Sequence, residues 1–170
     1  MLNRKGYLFM GCGKTDHSTN CVCKVLREIS QAQRNIVETD CDVSCKKSIK
    51  DLLGETEVAN SLDTVPVILY CKGSCKPFKG FGAHPKSIGN VVSSFYFRVK
   101  KVNKDCCATL ELLLDPSDLS SGSDHKKRAR NPKDPMDQRT KHLRRTGICI
   151  TVDLHCFCHV TCLPAISALN

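Results

Sequence analysis

The side chains of this chain that could do chemistry are overwhelmingly thiols. Thirteen of its 170 residues are cysteine: Cys12, Cys21, Cys23, Cys41, Cys45, Cys71, Cys75, Cys106, Cys107, Cys149, Cys156, Cys158 and Cys162. That is several times ordinary usage, in a chain long enough to bury a core without covalent staples. The odd number excludes a monomer with every thiol paired. At least one is free, shared with a metal, or joined to another chain.

Each kind of thiol chemistry asks for its own spacing. Zinc needs four converging nitrogen or sulfur ligands, commonly supplied by C-x2–4-C turns. Cys41 and Cys45, Cys71 and Cys75, and Cys158 and Cys162 are each separated by three residues. They fit that rule loosely, and His155 and His159 alternate away from Cys156 and Cys158 along an extended chain. Reduced cysteines filling a β core are the plainer alternative. A thiol protease needs one cysteine activated by a histidine and a third orienting group, and nothing marks such a cysteine here. The redox spacing C-x-x-C does not occur. Cys156-Phe157-Cys158-His159 misses the haem-attachment spacing by one residue. Gly13-Lys14-Thr15 resembles the end of a phosphate-binding loop, but Leu8 stands where its first glycine belongs. Met10-Gly11 opens a loose myristoylation pattern that would require translation to begin at Met10. Adjacent Cys106 and Cys107 are unsuited to bonding each other, because neighbours rarely reach relaxed disulfide geometry. In a strand they would face opposite sides, one toward the core and one toward a neighbour. No catalytic residue emerges.

The elements that must carry these thiols change in kind along the chain. Val22, Val25, Leu26, Ile29, Ile36 and Val37 recur at helical spacing behind Thr19 and Asn20. They predict an amphipathic helix of roughly 16–20 residues ending near Asp40. Ser48 to Leu53 predicts one or two further turns, stopped by Gly54. After Asp63 the texture becomes β. Val65–Cys71, Ser94–Val102, Cys106–Leu114 and Gly147–Val160 read as strands. In the second, Phe95, Phe97 and Val99 alternate with Tyr96, Arg98 and Lys100. In the last, an unbroken strand would put Ile148, Ile150, Val152 and Leu154 on one face, continued by Cys156, Cys158 and Val160. Strands without intervening helices argue for a sandwich or barrel.

The net charge of +9 is localised. Between Asp124 and Arg145, Lys126, Lys127, Arg128, Arg130, Lys133, Arg139, Lys141, Arg144 and Arg145 oppose only Asp124, Asp134 and Asp137. With Ser-Gly-Ser and three prolines, residues 115–146 read as a polar, basic surface loop. It lacks the interleaved aromatics that stack bases, so no specific nucleic-acid partner is indicated. No segment approaches the ~18 apolar residues of a membrane span. Tyr7 to Met10 is too short for a secretory apolar core.

These residues carry a resemblance. Gly147-Ile-Cys-Ile-Thr-Val-Asp-Leu-His-Cys-Phe-Cys-His-Val-Thr-Cys-Leu163 resembles the C-terminal signature of the bacterial spore coat protein Y/Z family, which includes related exosporium proteins. The matching positions are Cys149, Val152, Asp153, Leu154, Cys156, Phe157, Cys158, Cys162 and Leu163. Phe97-Arg98-Val99, followed by Cys106-Cys107-Ala108-Thr109-Leu110, is similar to its central stretch. Cys12-Gly13-Lys14-Thr15, Asn20-Cys21-Val22-Cys23, and Cys41 and Cys45 with Leu52-Leu53 are similar to its N-terminal part, and Thr64-Val65-Pro66 fits the lead-in to the first strand. Cys71, Cys75, the basic stretch, His155 and His159 depart from the pattern. The family's opening aligns with Met10, so residues 1–9 read as an upstream extension.

The resemblance implies a non-enzymatic structural protein of the outer spore layers (coat, crust or exosporium), made in the mother-cell cytoplasm. It would self-assemble into a disulfide-cross-linked lattice and anchor other coat proteins. Its partners would be itself and those proteins, with no membrane and no cofactor. Cys12, Cys21, Cys23, Cys41 and Cys45 are the expected inter-chain set, because the N-terminal part is the loosest. Cys106, Cys149, Cys156 and Cys158 are expected within or beside the sheet, and Cys107 and Cys162 complete the cross-linking or structural set. The alternative is a zinc-stabilised adaptor recruiting coat proteins without a covalent lattice. The expected fold is α+β: a cysteine-rich helical region at 10–63 and a mainly antiparallel β-sandwich at 64–170.

Overall fold

The computed structural model describes residues 21–34, 41–56, 61–119 and 131–169. Helix α1, Cys21–Arg34, forms where the 3.6-residue spacing of apolar side chains predicts a helix. Its expected continuation to Asp40 lies outside the described residues, as do Cys12 and the motifs of the first twenty positions. The chain divides into two compact units between Asp40 and Cys41. A second helix, α2 (Cys45–Leu52), belongs to the same unit as the strands, so that unit starts well before residue 64. Ser44 caps α2 by accepting a hydrogen bond from the Lys47 amide, and Gly54, at φ +71°, follows its end.

Among the described residues seven strands follow: β1 Val67–Cys71, β2 Gly80–Gly82, β3 Val92–Ser94, β4 Phe97–Val102, β5 Cys107–Leu114, β6 Arg144–Asp153 and β7 Phe157–Cys162. A four-residue helical turn, α3, spans Pro116–Leu119. β6, β5, β4, β1 and β7 form one antiparallel sheet in that order, and β2 pairs with β3 in a separate ribbon. The architecture is therefore mostly antiparallel sheet with few helices, one full sheet covered by a short ribbon.

The sheet curls, because its two edges are consecutive in the chain. β6 and β7 are joined only by a 3-10 turn at Leu154–Cys156. Such a link reaches at most roughly 14 Å, whereas the edges of a flat five-stranded sheet stand about 19 Å apart. The concave side encloses Val67, Leu69, Phe97, Ala108, Leu110, Leu112 and Leu114, with Ile148, Ile150, Val152, Leu154 and Phe157 packed against them. The ribbon closes this side at very short range. A Cβ on Gly80 would stand 2.7 Å from both Ile150 Cδ1 and Phe97 Cε1, and one on Gly82 would collide with Ile148 Cγ2. Only glycine permits that approach.

The alternation expected across Ser94–Val102 fails at its start. Phe95 and Tyr96 both join a second core on the convex side, with Ile68, Leu113, Leu143 and Ala168, while Phe97 enters the first. Val99 is exposed, next to a bulge between Val99 and Lys101. The kink between β3 and β4 is held by Gln138. Its Oε1 accepts from the Phe95 amide at 3.0 Å, and its Nε2 donates to Ser94 Oγ at 2.8 Å and to the Leu113 carbonyl at 3.2 Å.

That contact corrects the reading of 115–146 as a surface loop. Residues 120–130 lie outside the described residues, but 131–143 pack onto the sheet. Pro132, Pro135, Gln138 and Leu143 are buried. Tyr96 donates its hydroxyl to the Pro135 carbonyl at 2.9 Å, and Asp134 and Asp137 form a reciprocal capping box around the turn at Pro135–Asp137. Composition registers the lysines and arginines of this stretch and misses the buried amide of Gln138 that anchors it.

The C-terminal segment is strapped across the same side by Asp63. Its carboxylate accepts from the amides of Ala168 (2.9 Å) and Leu169 (3.2 Å) and from the hydroxyls of Thr64 and Ser167. Partial burial pushes its pKa up, but these hydrogen bonds outweigh it and hold the carboxyl below its ordinary 3.8.

Two measurements check this packing. Gln138→Ala leaves the buried Phe95 amide without its partner, while the Leu113 carbonyl keeps the Ser94 hydroxyl, and should lower unfolding free energy by about 1–3 kcal/mol in urea titration. The Asp63 contribution is complete above 3.8 and fades as pH falls through its lowered folded value. Exchange protection of the Ala168 and Leu169 amides should therefore hold at pH 5 and drop at strongly acid pH, and Asp63→Ala should remove it at both.

Candidate cross-linking site

The described thiols fall into three environments. Cys45, at the start of α2, is bonded to Cys162, at the end of β7, across 117 residues of sequence. Closing so long a loop stabilises the fold by about 4–5 kcal/mol in chain-entropy terms. It fixes α2 against the edge strand, and Cys162 itself packs onto the concave core. Cys45 is thus a correction to the expected inter-chain set: its partner lies in its own chain. Cys71 and Cys107 are half-buried. Cys41, Cys75, Cys106, Cys149, Cys156 and Cys158 are exposed. Of the eight unpaired cysteines described, none is buried, which overturns the reading of cysteine as β-core filler.

The reason lies in where the strand breaks. β6 alternates as expected, with Ile148, Ile150 and Val152 half-buried and Cys149, Thr151 and Asp153 exposed. Asp153 then caps the turn, accepting from the His155 amide at 2.9 Å and pairing with His155 Nδ1 at 2.8 Å. These bonds hold its carboxyl below the ordinary range. The turn resets the register. Phe157 enters the core, and Cys156, Cys158 and Val160, which an unbroken strand would have carried on the face of Ile148, Ile150, Val152 and Leu154, stand exposed.

The same turn gathers thiols from three parts of the sequence. The Leu154 amide donates to the Cys106 carbonyl at 2.9 Å, and the Lys72 amide donates to the Cys156 carbonyl at 2.6 Å. Cys158 Sγ lies 3.9 Å from Cys75 Sγ and 3.6 Å from the carbonyl oxygens of Tyr70 and Cys71. Cys71, Cys75, Cys106, Cys107, Cys156 and Cys158 therefore follow one continuous seam. Cys149 stands apart in β6, opposite Glu111 of β5. Partial desolvation, then the hydrogen bond and charge of Cys75, push the Cys158 thiol above its ordinary 9.0.

Cys75 and Cys106 are also the two described non-glycine residues with positive φ, at +51° and +57°. A side chain in that region costs of order 1–2 kcal/mol. Asn103 holds the Cys106 turn by accepting from the Asp105 and Cys107 amides at 3.1 and 2.8 Å. Cys106 thus lies in the turn, not in the strand, so only Cys107 begins β5. Among the described residues, no three His, Cys, Asp or Glu side chains stand where they could hold a metal ion.

Glu111, fully buried, was not singled out from the sequence. It pairs with Arg98 at 3.5 Å and Arg145 at 3.4 Å and accepts from the Gly147 amide at 2.9 Å. A lone acid in the apolar run Thr109–Leu114 was the available signal. The placement of Cys71 and Cys75 beside Cys158 had none, because the two segments are distant in sequence.

An antiparallel, cysteine-rich sheet with outward thiols is the class of protein that these features define. Residues 10–165 match the family described as Spore coat protein Z. The chain is 32% identical over 152 residues to Spore coat protein Z of Bacillus subtilis (strain 168), covering 86% of this chain and 90% of that one. It belongs to the Spore coat protein Z family. No solved structure matches it.

The raised Cys158 pKa leaves less thiolate at a given pH than a free cysteine would show. At pH 8, mass-spectrometric alkylation rates of reduced protein should be slower for Cys158 than for Cys149. Cys75→Ala removes two of the causes and should speed Cys158 alkylation severalfold. An unchanged rate would show that Cys75 does not act on it.

Proposed function

We propose that this protein is a structural component of the spore coat whose copies join through outward-facing cysteines into a disulfide-cross-linked lattice. The observation that carries this reading is the exposure of six unpaired thiols on a folded body that already has its own internal disulfide. A thiol retained for packing would be buried. A thiol meant for a neighbour must lie outside, on an element rigid enough to repeat the same contact in every copy. Cys149 on β6 and Cys106 and Cys156 on hydrogen-bonded turns meet that condition.

Such a sheet would lie in the coat, crust or exosporium and offer attachment for other coat proteins, with copies of this chain as the first partner. The thiols would be made reduced in the mother-cell cytoplasm and oxidised as the layer matures. The role is structural, without catalysis or a cofactor. Membership of the Spore coat protein Z family supports the coat setting.

Removing reductant from the purified protein should convert monomer into large species on non-reducing gels, visible as ordered sheets by electron microscopy and reversed by reductant. Replacing Cys106, Cys149 and Cys156 together by serine should leave a folded protein that forms few such species. Assembly undiminished in that variant, or no assembly in the wild type, would contradict the reading.

A further inference from the structure

We propose that Cys75 and Cys158 form a second disulfide within the folded chain, closing the β1–β2 turn onto β7. The two sulfurs already face each other at 3.9 Å across 83 residues of sequence. A bond requires about 2.05 Å, so a closure of roughly 2 Å suffices. The approach is built into the backbone. The Cys75 amide donates to the Cys71 carbonyl and the Cys71 amide to the Lys76 carbonyl, both at 2.9 Å, which fixes the turn. On the other side β7 is registered against β1, Tyr70 opposite His159, with their rings stacked 4.3 Å apart.

Two further features support the pairing. Cys75 occupies a left-handed position at φ +51° that glycine would fill without strain, as Gly73 does two residues earlier at φ +92°. A cysteine there is explained by a use for its sulfur. Both thiols are also exposed, so an oxidant can reach them.

The chemistry balances with a small-molecule disulfide of the glutathione-disulfide class as oxidant. One cysteine thiolate attacks it, forming a mixed disulfide and expelling one thiolate. The second cysteine then displaces the other half. One S–S bond is broken in the oxidant and one is made in the protein. Two electrons pass from the cysteine sulfurs to the oxidant, and the two protons leave with the two released thiols. Both thiols are exposed, so either can make the first attack, and both orders give the same bond.

The bond stands whether or not copies join, and it changes which thiols they can use. With Cys75 and Cys158 paired, Cys41, Cys106, Cys149 and Cys156 remain as the exposed unpaired cysteines described.

The test oxidises dilute full-length protein with glutathione disulfide, alkylates residual thiols, and maps the monomer band after trypsin and chymotrypsin digestion. Cleavage after Phe157 separates Cys156 from Cys158. Wild type should give a three-peptide species in which the Cys158–Cys162 peptide carries both the Cys45 and the Cys75 peptides. Cys158→Ser, with folding checked by circular dichroism, should keep the Cys45 link and leave Cys75 alkylated. Cys75 alkylated in oxidised wild type, or still linked to that peptide in Cys158→Ser, would overturn the proposal. A monomer that holds this bond yet never assembles would sink the lattice reading alone.

Discussion

The three residues between β6 and β7 impose the constraint on which the structure depends. They require the two edges of a five-stranded sheet to lie within reach of a single 3-10 turn, so the sheet must curl around its own apolar face. The curl gathers Phe97, Leu110 and Leu112 into a core with almost no solvent exposure. It also brings Cys71, Cys75 and Cys106 beside the last cysteine cluster. The carboxylate of Asp153 organises that turn from its N-terminal side, and the Cys106 carbonyl and the Lys72 amide bind it from either flank.

The convex side is divided between packing and exposure. Along β5 its outward residues grade from half-buried Cys107 and Thr109 to buried Glu111 and Leu113. The Leu113 end is covered by Leu143, Tyr96 and Ala168, held through Gln138 and Asp63. The Cys107 end carries the thiol seam. The packed core and the thiol seam thus lie at opposite ends of the same strand. Glu111 sits at the transition, its burial compensated by two arginines and a backbone amide. The Cys45–Cys162 bond lets one sulfur pair serve stability while the exposed ones stay available.

Much of this was legible in the sequence, because strand periodicity is a local property. Val65–Cys71, Cys106–Leu114 and the alternation of Ile148, Ile150 and Val152 each announce a strand, and the C-terminal cysteine signature announces the family. What stayed hidden is non-local. The docking of residues 131–143, through buried Pro132, Pro135, Gln138 and Leu143, depends on Gln138 meeting the β3–β4 kink, about forty residues away in the chain, and the basic composition around it points the other way. The turn at 154–156 also reverses the expected orientation of Cys156 and Cys158, because a capped 3-10 turn shifts the two-residue period. The Cys45–Cys162 and Cys75–Cys158 proximities arise from sheet order, which spacing between cysteines does not encode.

Six of the eight unpaired thiols of the described body face outward from a folded, internally bonded unit, and the whole reading rests on that. Brief alkylation of reductant-free monomer under native conditions, followed by peptide mapping, tests it most directly. The account predicts that Cys41, Cys106, Cys149 and Cys156 label at the rate of exposed thiols while Cys45 and Cys162 stay unlabelled until reduced. Labelling of Cys106, Cys149 and Cys156 only after denaturant is added would contradict it.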